Sequence, residues 1–212
     1  MTETTAGSRR SGEVRSADIV RAARALIVEK GFEGLRTRDI ADRAGINIAT
    51  LHYHVPSKDA LVELVARSIL QDFVDQSARR PRQGVSPLRH LRMEFEDFEE
   101  TMTDMPDLVV IYSELLDRAR RDRKVQDIMR PLHTAWLDVF KRIFHNGVAD
   151  GTFRADLDPA AAAAITTGAL VNFWRRDPAE LPPFAVLITE LERSFLAPAQ
   201  LGADLYRKDI HP

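Results

Sequence analysis

Apolar residues recur at spacings of three and four residues through nearly every window of this 212-residue sequence. Such spacing places apolar side chains on one face of an α-helix, whereas a strand with one buried face would show alternation. No stretch of the sequence sustains that alternation. The pattern therefore predicts an all-α fold, in which the helices bury their apolar faces against one another.

The residue content narrows the chemistry and the location that we expect. Cysteine is absent, which excludes disulfides and thiolate chemistry and suits a reducing cytoplasm. Residues 1–14 are polar and lack the apolar core of an export signal, and no apolar run reaches the roughly 18 residues of a membrane span. We therefore expect a cytoplasmic protein with no membrane partner, a flexible arm over residues 1–14 and a C-terminal tail over residues 201–212.

Charge is distributed unevenly along the chain. The residues up to Lys58 include ten Lys or Arg and seven Asp or Glu, a balance of +3, although the whole chain carries a formal charge of −2 at pH 7. A basic leading segment favours nucleic acid as a partner, but a solvated surface can carry the same modest excess. The charge pattern alone leaves both interpretations open.

Capping and breaking residues predict two helices at the start of the chain. Ser16 is placed to cap the first helix, and Gly31 ends it after Lys30. Thr37 is placed to cap a second, short helix over residues 38–44. A short connection should therefore join the two.

A turn separates the second helix from a third. Gly45 tolerates the left-handed backbone conformation that reverses the chain, and Asn47 can cap the helix that follows. That third helix must end near Val55, because Pro56 disfavours helical backbone in the residue before it. Ser57 is placed to cap a fourth, longer helix.

The two short helices around Gly45 fit a helix-turn-helix. Ala41 is small enough for the third helix to cross closely over the second. Ile40, Ile46 and Leu51 would seal the pair against the first helix. A plain helical hairpin in a bundle core is the alternative interpretation.

The two histidines of the third helix do not predict a metal site. His52 and His54 lie about 200° apart around a helix, so they cannot hold one ion together. We expect no metal and no cofactor. The helix would instead present side chains able to touch bases and phosphates, with Ile48, Ala49, His52 and Tyr53 on the exposed face and Thr50, His54 and Lys58 near its ends.

The segment GFEGLRTRDIADRAGINIATLHYHVPSKDAL resembles the N-terminal DNA-binding domain of the TetR family of bacterial transcriptional regulators, across Ser16 to Leu61. The shared pattern comprises Gly31-Phe32, Leu35, Thr37, Ile40-Ala41, Ala44-Gly45, Thr50-Leu51 and Ser57-Lys58. The ending His54-Val55 is most similar to the tetracycline repressor branch. His52, where tyrosine is usual, and Ile48, where a polar residue is frequent, depart from the pattern and bear on base preference.

The resemblance implies a DNA-binding domain over residues 15–61 and a ligand-binding and dimerisation domain over residues 62–200. Family members bind inverted-repeat operators in double-stranded DNA as homodimers, with the third helix in the major groove, and most are repressors. The implied base contacts come from Arg38, Ile48, Ala49 and His52, and the implied backbone contacts from Thr37, Thr50, Tyr53, His54 and Lys58. Asn47, at the start of the third helix, completes the predicted DNA-binding set.

Apolar stripes predict three further helices, within residues 88–102, 108–115 and 125–143. Pro131 should kink the last of these helices unless it falls in the first turn. Such stripes are usually core. In TetR-like proteins, however, the corresponding helices surround a pocket for a small molecule. We therefore predict a small, largely apolar effector, with candidate contacts from Phe95, Phe98, Met102, Tyr112, Met129, His133, Trp136, Phe140 and Asn172.

The last two predicted helices favour a homodimer. The penultimate helix is apolar on two faces, of which one carries Ala161, Ile165, Ala169 and Asn172 and the other Ala160, Ala164, Thr167, Val171 and Trp174. A monomer could bury only one of these faces. The final helix offers Phe184, Leu187, Ile188, Leu191 and Phe195. Together the two helices form half of a four-helix bundle that a twofold dimer would complete.

Two other functions fit parts of the sequence. His90 and Glu94 lie four residues apart, as in a metal-dependent enzyme, but a third ligand is not evident, and the sequence contains no phosphate loop, nucleophile elbow or HExxH motif. We therefore expect no enzymatic activity. A regulator of the same fold that answers to a protein partner, or to no ligand, is the closer alternative, and a tightly filled core would favour it.

Overall fold

The computed structural model describes the backbone of residues 4–176 and 178–200, and the side chains of residues 15–176 and 179–200. Within these ranges the only β-structure is an isolated bridge between Phe153 and Leu196, which confirms the all-α prediction. The helices are α1 (Thr4–Lys30), α2 (Thr37–Arg43), α3 (Ile48–His54), α4 (Lys58–Ala78), α5 (Pro87–Asp104), α6 (Pro106–Ala119), α7 (Arg123–Ala149), α8 (Pro159–Arg175) and α9 (Phe184–Phe195), with a short 3-10 helix at Pro178–Glu180.

The chain divides into two compact units. The first contains the residues up to Asp75 together with Met105–Pro131, and the second contains Gln76–Asp104 and the residues from Leu132 onward. The functional boundaries that the sequence suggests, at residues 14, 61 and 200, stay predictions. So do the flexible arm, whose side chains lie outside the described residues, and the C-terminal tail, which lies wholly outside them.

The first unit is built on the helix-turn-helix. α1 packs on α2 and α6, and α2 packs on α3. Ile40 and Leu51 are buried, as predicted, and so is Ala41, whereas Ile46, the third residue expected to seal the pair, is only half-buried. The turn closes with a hydrogen bond from the backbone N–H of Ile46 to the carbonyl of Ala41 at 3.0 Å, and Gly45 takes a φ of 66°. That left-handed conformation favours glycine, so the predicted turn is confirmed.

Two predicted caps are wrong. α1 extends back to Thr4, so Ser16 lies inside the helix and not at its start. α2 begins at Thr37, one residue earlier than expected, with Arg36 in extended conformation as the N-cap and no side-chain cap. The backbone of Thr37 is already helical, so its hydroxyl cannot satisfy the free N–H groups of the first turn in the way an N-cap does.

The second unit buries an aromatic core. Phe98 lies at its centre, with ring centroids 6.4 Å from Trp136, 5.2 Å from Trp174 and 5.6 Å from Phe184. Phe144 joins this core to the end of α9 through Phe195, at 4.8 Å between ring centroids. Rings that meet at these distances in edge-on or offset arrangements add to the free energy gained from burying their area.

Pro131 lies inside α7 and beyond its first turn. The described helix continues through it, and the first unit ends at this residue. Proline removes one backbone N–H from the helix, so the hydrogen-bond ladder is interrupted there.

The buried face of α8 differs from both faces that the sequence suggests. Ala162, Ala163, Thr166 and Leu170 are the buried residues. Large apolar side chains usually decide which face of a helix is buried, but Phe173 and Trp174 of α8 are only partly buried against the core. Leu191 of α9 is 9% exposed and belongs to the core of the second unit, which makes it unsuitable as a surface contact.

No helix among the described residues is long and apolar enough to cross a membrane.

Candidate nucleic-acid interface

The surface predicted to contact DNA is the outward face of α3, a helix that is fixed at both ends. The side-chain oxygen of Asn47 accepts a hydrogen bond from the backbone N–H of Thr50 at 2.7 Å, and this confirms the predicted cap. At the other end, the N–H of Val55 donates to the carbonyl of Leu51 at 2.7 Å, and the buried Val55 side chain precedes Pro56. Leu51 anchors the inner face, being 1% exposed. The outward residues are therefore held on a short, rigid helix.

Four predicted contact residues lie together on that outward face. Ile48 is 44% exposed and Tyr53 is 85% exposed, and Ala49 and His52 are exposed beside them. Thr50 and His54 are half-buried, which suits the prediction that they touch the DNA backbone and not base edges. The ring of Tyr53 meets that of His54 edge-on at 5.3 Å.

Thr37 and Arg38 are exposed at the start of α2. The Arg38 side chain forms no hydrogen bond or ion pair with any other described residue, so its five N–H donors are available to a ligand. It is the one predicted base-contacting side chain that can pair with guanine through two hydrogen bonds.

Lys58 begins α4 and is held beside an acidic residue that the sequence did not single out. Its Nζ lies 3.7 Å from an oxygen of Glu33, and 5.6 Å from the centre of the Phe32 ring. Ser57 caps α4 as predicted, accepting from the N–H of Ala60 at 3.1 Å. Glu33 is 83% exposed, and a phosphate at the predicted Lys58 contact would compete with this carboxylate for the same ammonium group.

α6 is fixed to the connection between α1 and α2. The carboxylate of Glu114 accepts a hydrogen bond from the backbone N–H of Phe32 at 2.9 Å. Arg118, one turn later, forms an ion pair with Glu33, and its guanidinium carbon lies 5.0 Å from the centre of the Phe32 ring. These contacts join residues more than 80 positions apart, and no local spacing in the sequence indicates them.

Ion pairs also tie α1 to α2. Arg43 pairs with Glu29, and Lys30 pairs with Asp39 at 2.9 Å. The hydrogen bond from Arg43 lowers the pKa of Glu29, and that from Lys30 lowers the pKa of Asp39. Both carboxylates are therefore ionised near neutral pH, and each neutralises a cation of the helix-turn-helix.

The predicted effector contacts divide between the two units. Tyr112 and Met129 are buried in the first unit, where Tyr112 meets Phe73 edge-on at 6.3 Å. The second unit brings together Phe98, Trp136 and Phe140. It also holds the buried Phe95 and the half-buried Met102 and His133.

The polar members of that predicted set differ in their surroundings. Asn172 is exposed, and its side-chain oxygen accepts from Arg176 at 3.2 Å, so it belongs to the surface and not to the aromatic core. Burial lowers the pKa of His133, which favours the neutral imidazole. Burial raises the pKa of the Tyr112 hydroxyl, which therefore stays protonated at neutral pH.

The His90–Glu94 pair does not extend to a metal site. Nε2 of His90 lies 3.4 Å from a Glu94 oxygen that Arg82 also approaches at 3.3 Å. Among the described residues, no three His, Cys, Asp or Glu side chains are grouped so that they could hold an ion. Glu94 instead belongs to an ion-pair network in which Arg80 and Arg82 both contact Asp97.

Comparison with known proteins gives this surface its context. The family model "Bacterial regulatory proteins, tetR family" matches residues 19–65. The HTH-type transcriptional repressor KstR2 of Mycolicibacterium smegmatis is 33% identical over 150 residues, which cover 68% of this chain and 70% of that protein. The Tetracycline repressor protein class D of Escherichia coli is 36% identical over 84 residues, which cover 40% of this chain and 38% of that protein.

The fold has solved counterparts as well. A TetR transcription regulator from Haloarcula marismortui superposes with a TM-score of 0.77 at 22% identity, and the match covers 87% of this chain and 99% of the other. The family match falls on the helix-turn-helix whose outward face is described above, and the similarity to KstR2 continues beyond it. The chain belongs to the TetR family of bacterial transcriptional regulators and is a DNA-binding regulator, not an enzyme.

Proposed function

We propose that the protein is a repressor that binds an inverted-repeat operator as a homodimer and releases it when a small, largely apolar effector binds. The observation that carries this proposal is the capped, rigid α3 with its outward face of Ile48, Ala49, His52 and Tyr53. Arg38, which has no hydrogen-bond or ion-pair partner among the residues with described side chains, is the second observation that supports it. A dimer would present two such helices, about 34–36 Å apart, to successive major grooves on one side of the duplex.

An apolar surface on α8 and α9 supports the homodimer. Ile165 is 55% exposed and is flanked on α8 by the exposed Ala161, Ala164 and Gly168. Val186 of α9, a helix that packs on α8, is 48% exposed. A second copy of the chain can cover this surface by a twofold axis, and small residues let the two backbones approach closely.

The aromatic core of the second unit supports an apolar effector. Phe98, Trp136 and Phe140 supply flat apolar surfaces of the kind that line small-molecule sites, and His133 adds a neutral imidazole as a polar contact. The same ring contacts also favour a second candidate function. Rings that already fill the space between them leave no room for an effector, and binding of a protein partner would then control operator binding. That regulator would bind the same operator and ignore apolar compounds.

Titration of the operator complex separates these two candidates. Apolar compounds that raise the melting temperature are added to the protein bound to a fluorescent operator. A 100-fold loss of DNA affinity requires a coupling free energy of about 2.7 kcal/mol. Because binding linkage is reciprocal, DNA must weaken binding of the same compound by about the same factor. Compounds that bind tightly without changing DNA affinity would argue against release by effector and in favour of the protein-partner candidate.

Replacing Glu33 with glutamine is expected to tighten operator binding by about two- to fivefold at low salt. The substitution frees Lys58 from an exposed ion pair, whose free energy is in the range of surface pairs, and also removes the carboxylate that pairs with Arg118. One negative charge near the predicted phosphate contact of Lys58 is lost. The salt dependence of binding should steepen, because one more cation can displace counterions. Fluorescence anisotropy at several salt concentrations measures both effects.

Glu63→Gln is the matched control for Glu33→Gln. Glu63 is paired with Arg67 on α4, so the same loss of charge falls within the same unit but outside the predicted DNA contacts. Its effect on affinity should be smaller. An equal gain in both variants would mean that net charge, and not the pairing with Lys58, sets the affinity.

A further inference from the structure

The exposed side chains at the start of α3 are apolar. Ile48 is 44% exposed and Ala49 is exposed next to it, while Leu51 supplies the inward anchor of the helix. Neither Ile48 nor Ala49 has a side-chain hydrogen-bond donor or acceptor. Direct readout by these two positions must therefore rest on shape and apolar contact.

Base edges in the major groove offer one methyl group, the C5 methyl of thymine. The purine N7 and position-6 groups and the pyrimidine position-4 groups are hydrogen-bond donors or acceptors, and covering them with an aliphatic side chain removes water without replacing its hydrogen bonds. An isoleucine that faces a base edge therefore favours thymine and disfavours guanine and cytosine.

The position of Ile48 is well defined, as discrimination requires. It is the first residue of α3, directly after Asn47, whose side chain caps the helix through Thr50 at 2.7 Å. The branched side chain of isoleucine has few rotamers in a helix. Its methyl groups are thus presented from a fixed backbone by a stiff side chain.

We propose that Ile48, with Ala49 beside it, reads a thymine methyl group, so that each operator half-site carries thymine at one fixed position. This inference rests on the proposed binding of an inverted-repeat operator and adds the chemical class of the base that α3 selects. His52 and Arg38 read the neighbouring positions through hydrogen bonds.

Replacement of thymine by deoxyuridine tests the inference, because it deletes the methyl group and leaves the base-pairing edge unchanged. The probe is an inverted repeat selected by the wild-type protein from a randomised duplex pool. Each thymine is then replaced in turn, symmetrically in both half-sites, and affinity is measured by fluorescence anisotropy. One buried methyl group is worth about 0.8 kcal/mol, or about fourfold in affinity. We therefore expect a loss of about 15-fold at the position that Ile48 reads, where both half-sites change.

Two protein variants assign the effect to Ile48. In Ile48→Ala the deoxyuridine penalty at that position should fall to less than about twofold, since the contacting side chain is gone. Val74→Ala is the matched control, because Val74 is a 51% exposed aliphatic residue on α4 of the same unit. It should retain the full penalty.

The outcomes are distinct. A selected operator without a deoxyuridine-sensitive thymine, or a penalty that persists in Ile48→Ala, overturns the inference and leaves operator binding intact. If the wild-type protein selects no sequence from the pool, the proposed function fails, and this inference fails with it.

Discussion

Arg38→Ala is expected to weaken operator binding by about 1–3 kcal/mol for each half-site, which corresponds to about five- to 150-fold per half-site, and to relax base preference at one position in each. The exposed Arg38 side chain has no partner among the described residues, so no internal contact is lost when it is removed. Its guanidinium can pair with O6 and N7 of guanine in a planar fork, and alanine offers nothing in its place. Anisotropy titrations against operators with each base at every position measure both affinity and preference.

Lys58→Ala provides the contrast to Arg38→Ala. Lys58 is predicted to touch a phosphate, so its loss should weaken all sequences to a similar extent and reduce the salt slope by about one unit for each protomer of the dimer. Protein stability should change little, because the ion pair between Lys58 and Glu33 is exposed. Equal loss of selectivity in Arg38→Ala and Lys58→Ala would show that their roles are wrongly assigned.

Leu191→Asp is expected to destabilise the second unit by more than about 3 kcal/mol. Leu191 is 9% exposed and lies in the core with Phe184 and Phe195. An aspartate there must be buried without a partner or become protonated, and burial of an unpaired charge is among the most destabilising changes a core can receive. Because a domain has only about 5–15 kcal/mol of stability in total, denaturation in urea should begin at a clearly lower concentration.

Ile165→Asp separates loss of the proposed dimer from loss of the fold. Ile165 is 55% exposed on α8, so an aspartate at this position stays hydrated in the single chain. We expect a native far-UV circular dichroism spectrum together with dissociation of the dimer in sedimentation experiments, since the carboxylate would be buried only at the interface. A stable dimer of Ile165→Asp would place the interface elsewhere.

Features that depend on local chemistry were well predicted from the sequence. Gly31 and Gly45 take positive φ values, and Asn47 and Ser57 cap their helices. In each case, neighbouring residues within one turn are enough to decide the outcome. Ser16 shows where this reasoning stops, because serine is tolerated inside a helix and the sequence before it allowed α1 to continue.

Features that depend on tertiary packing were predicted less well. α8 is rich in alanine, so apolar side chains lie on most of its circumference, and the sequence could not show that Ala162, Ala163, Thr166 and Leu170 face the core. Glu114 was not singled out either. Its role follows from the position of a backbone N–H that lies far away along the chain, and periodicity carries no information about such a contact.

The ion pairs of the helix-turn-helix have a consequence for how many copies of the regulator are needed. Arg43, Lys30 and Lys58 each have a carboxylate partner within the first unit, and the exposed Arg38 has none among the described residues. Nonspecific binding to DNA depends on cations that are free to meet phosphates. The ion pairs of Arg43, Lys30 and Lys58 therefore weaken nonspecific binding more than they weaken base-specific contacts. A genome offers about a million or more competing sites, and a protein that spends little time on them reaches its operator with few molecules per cell.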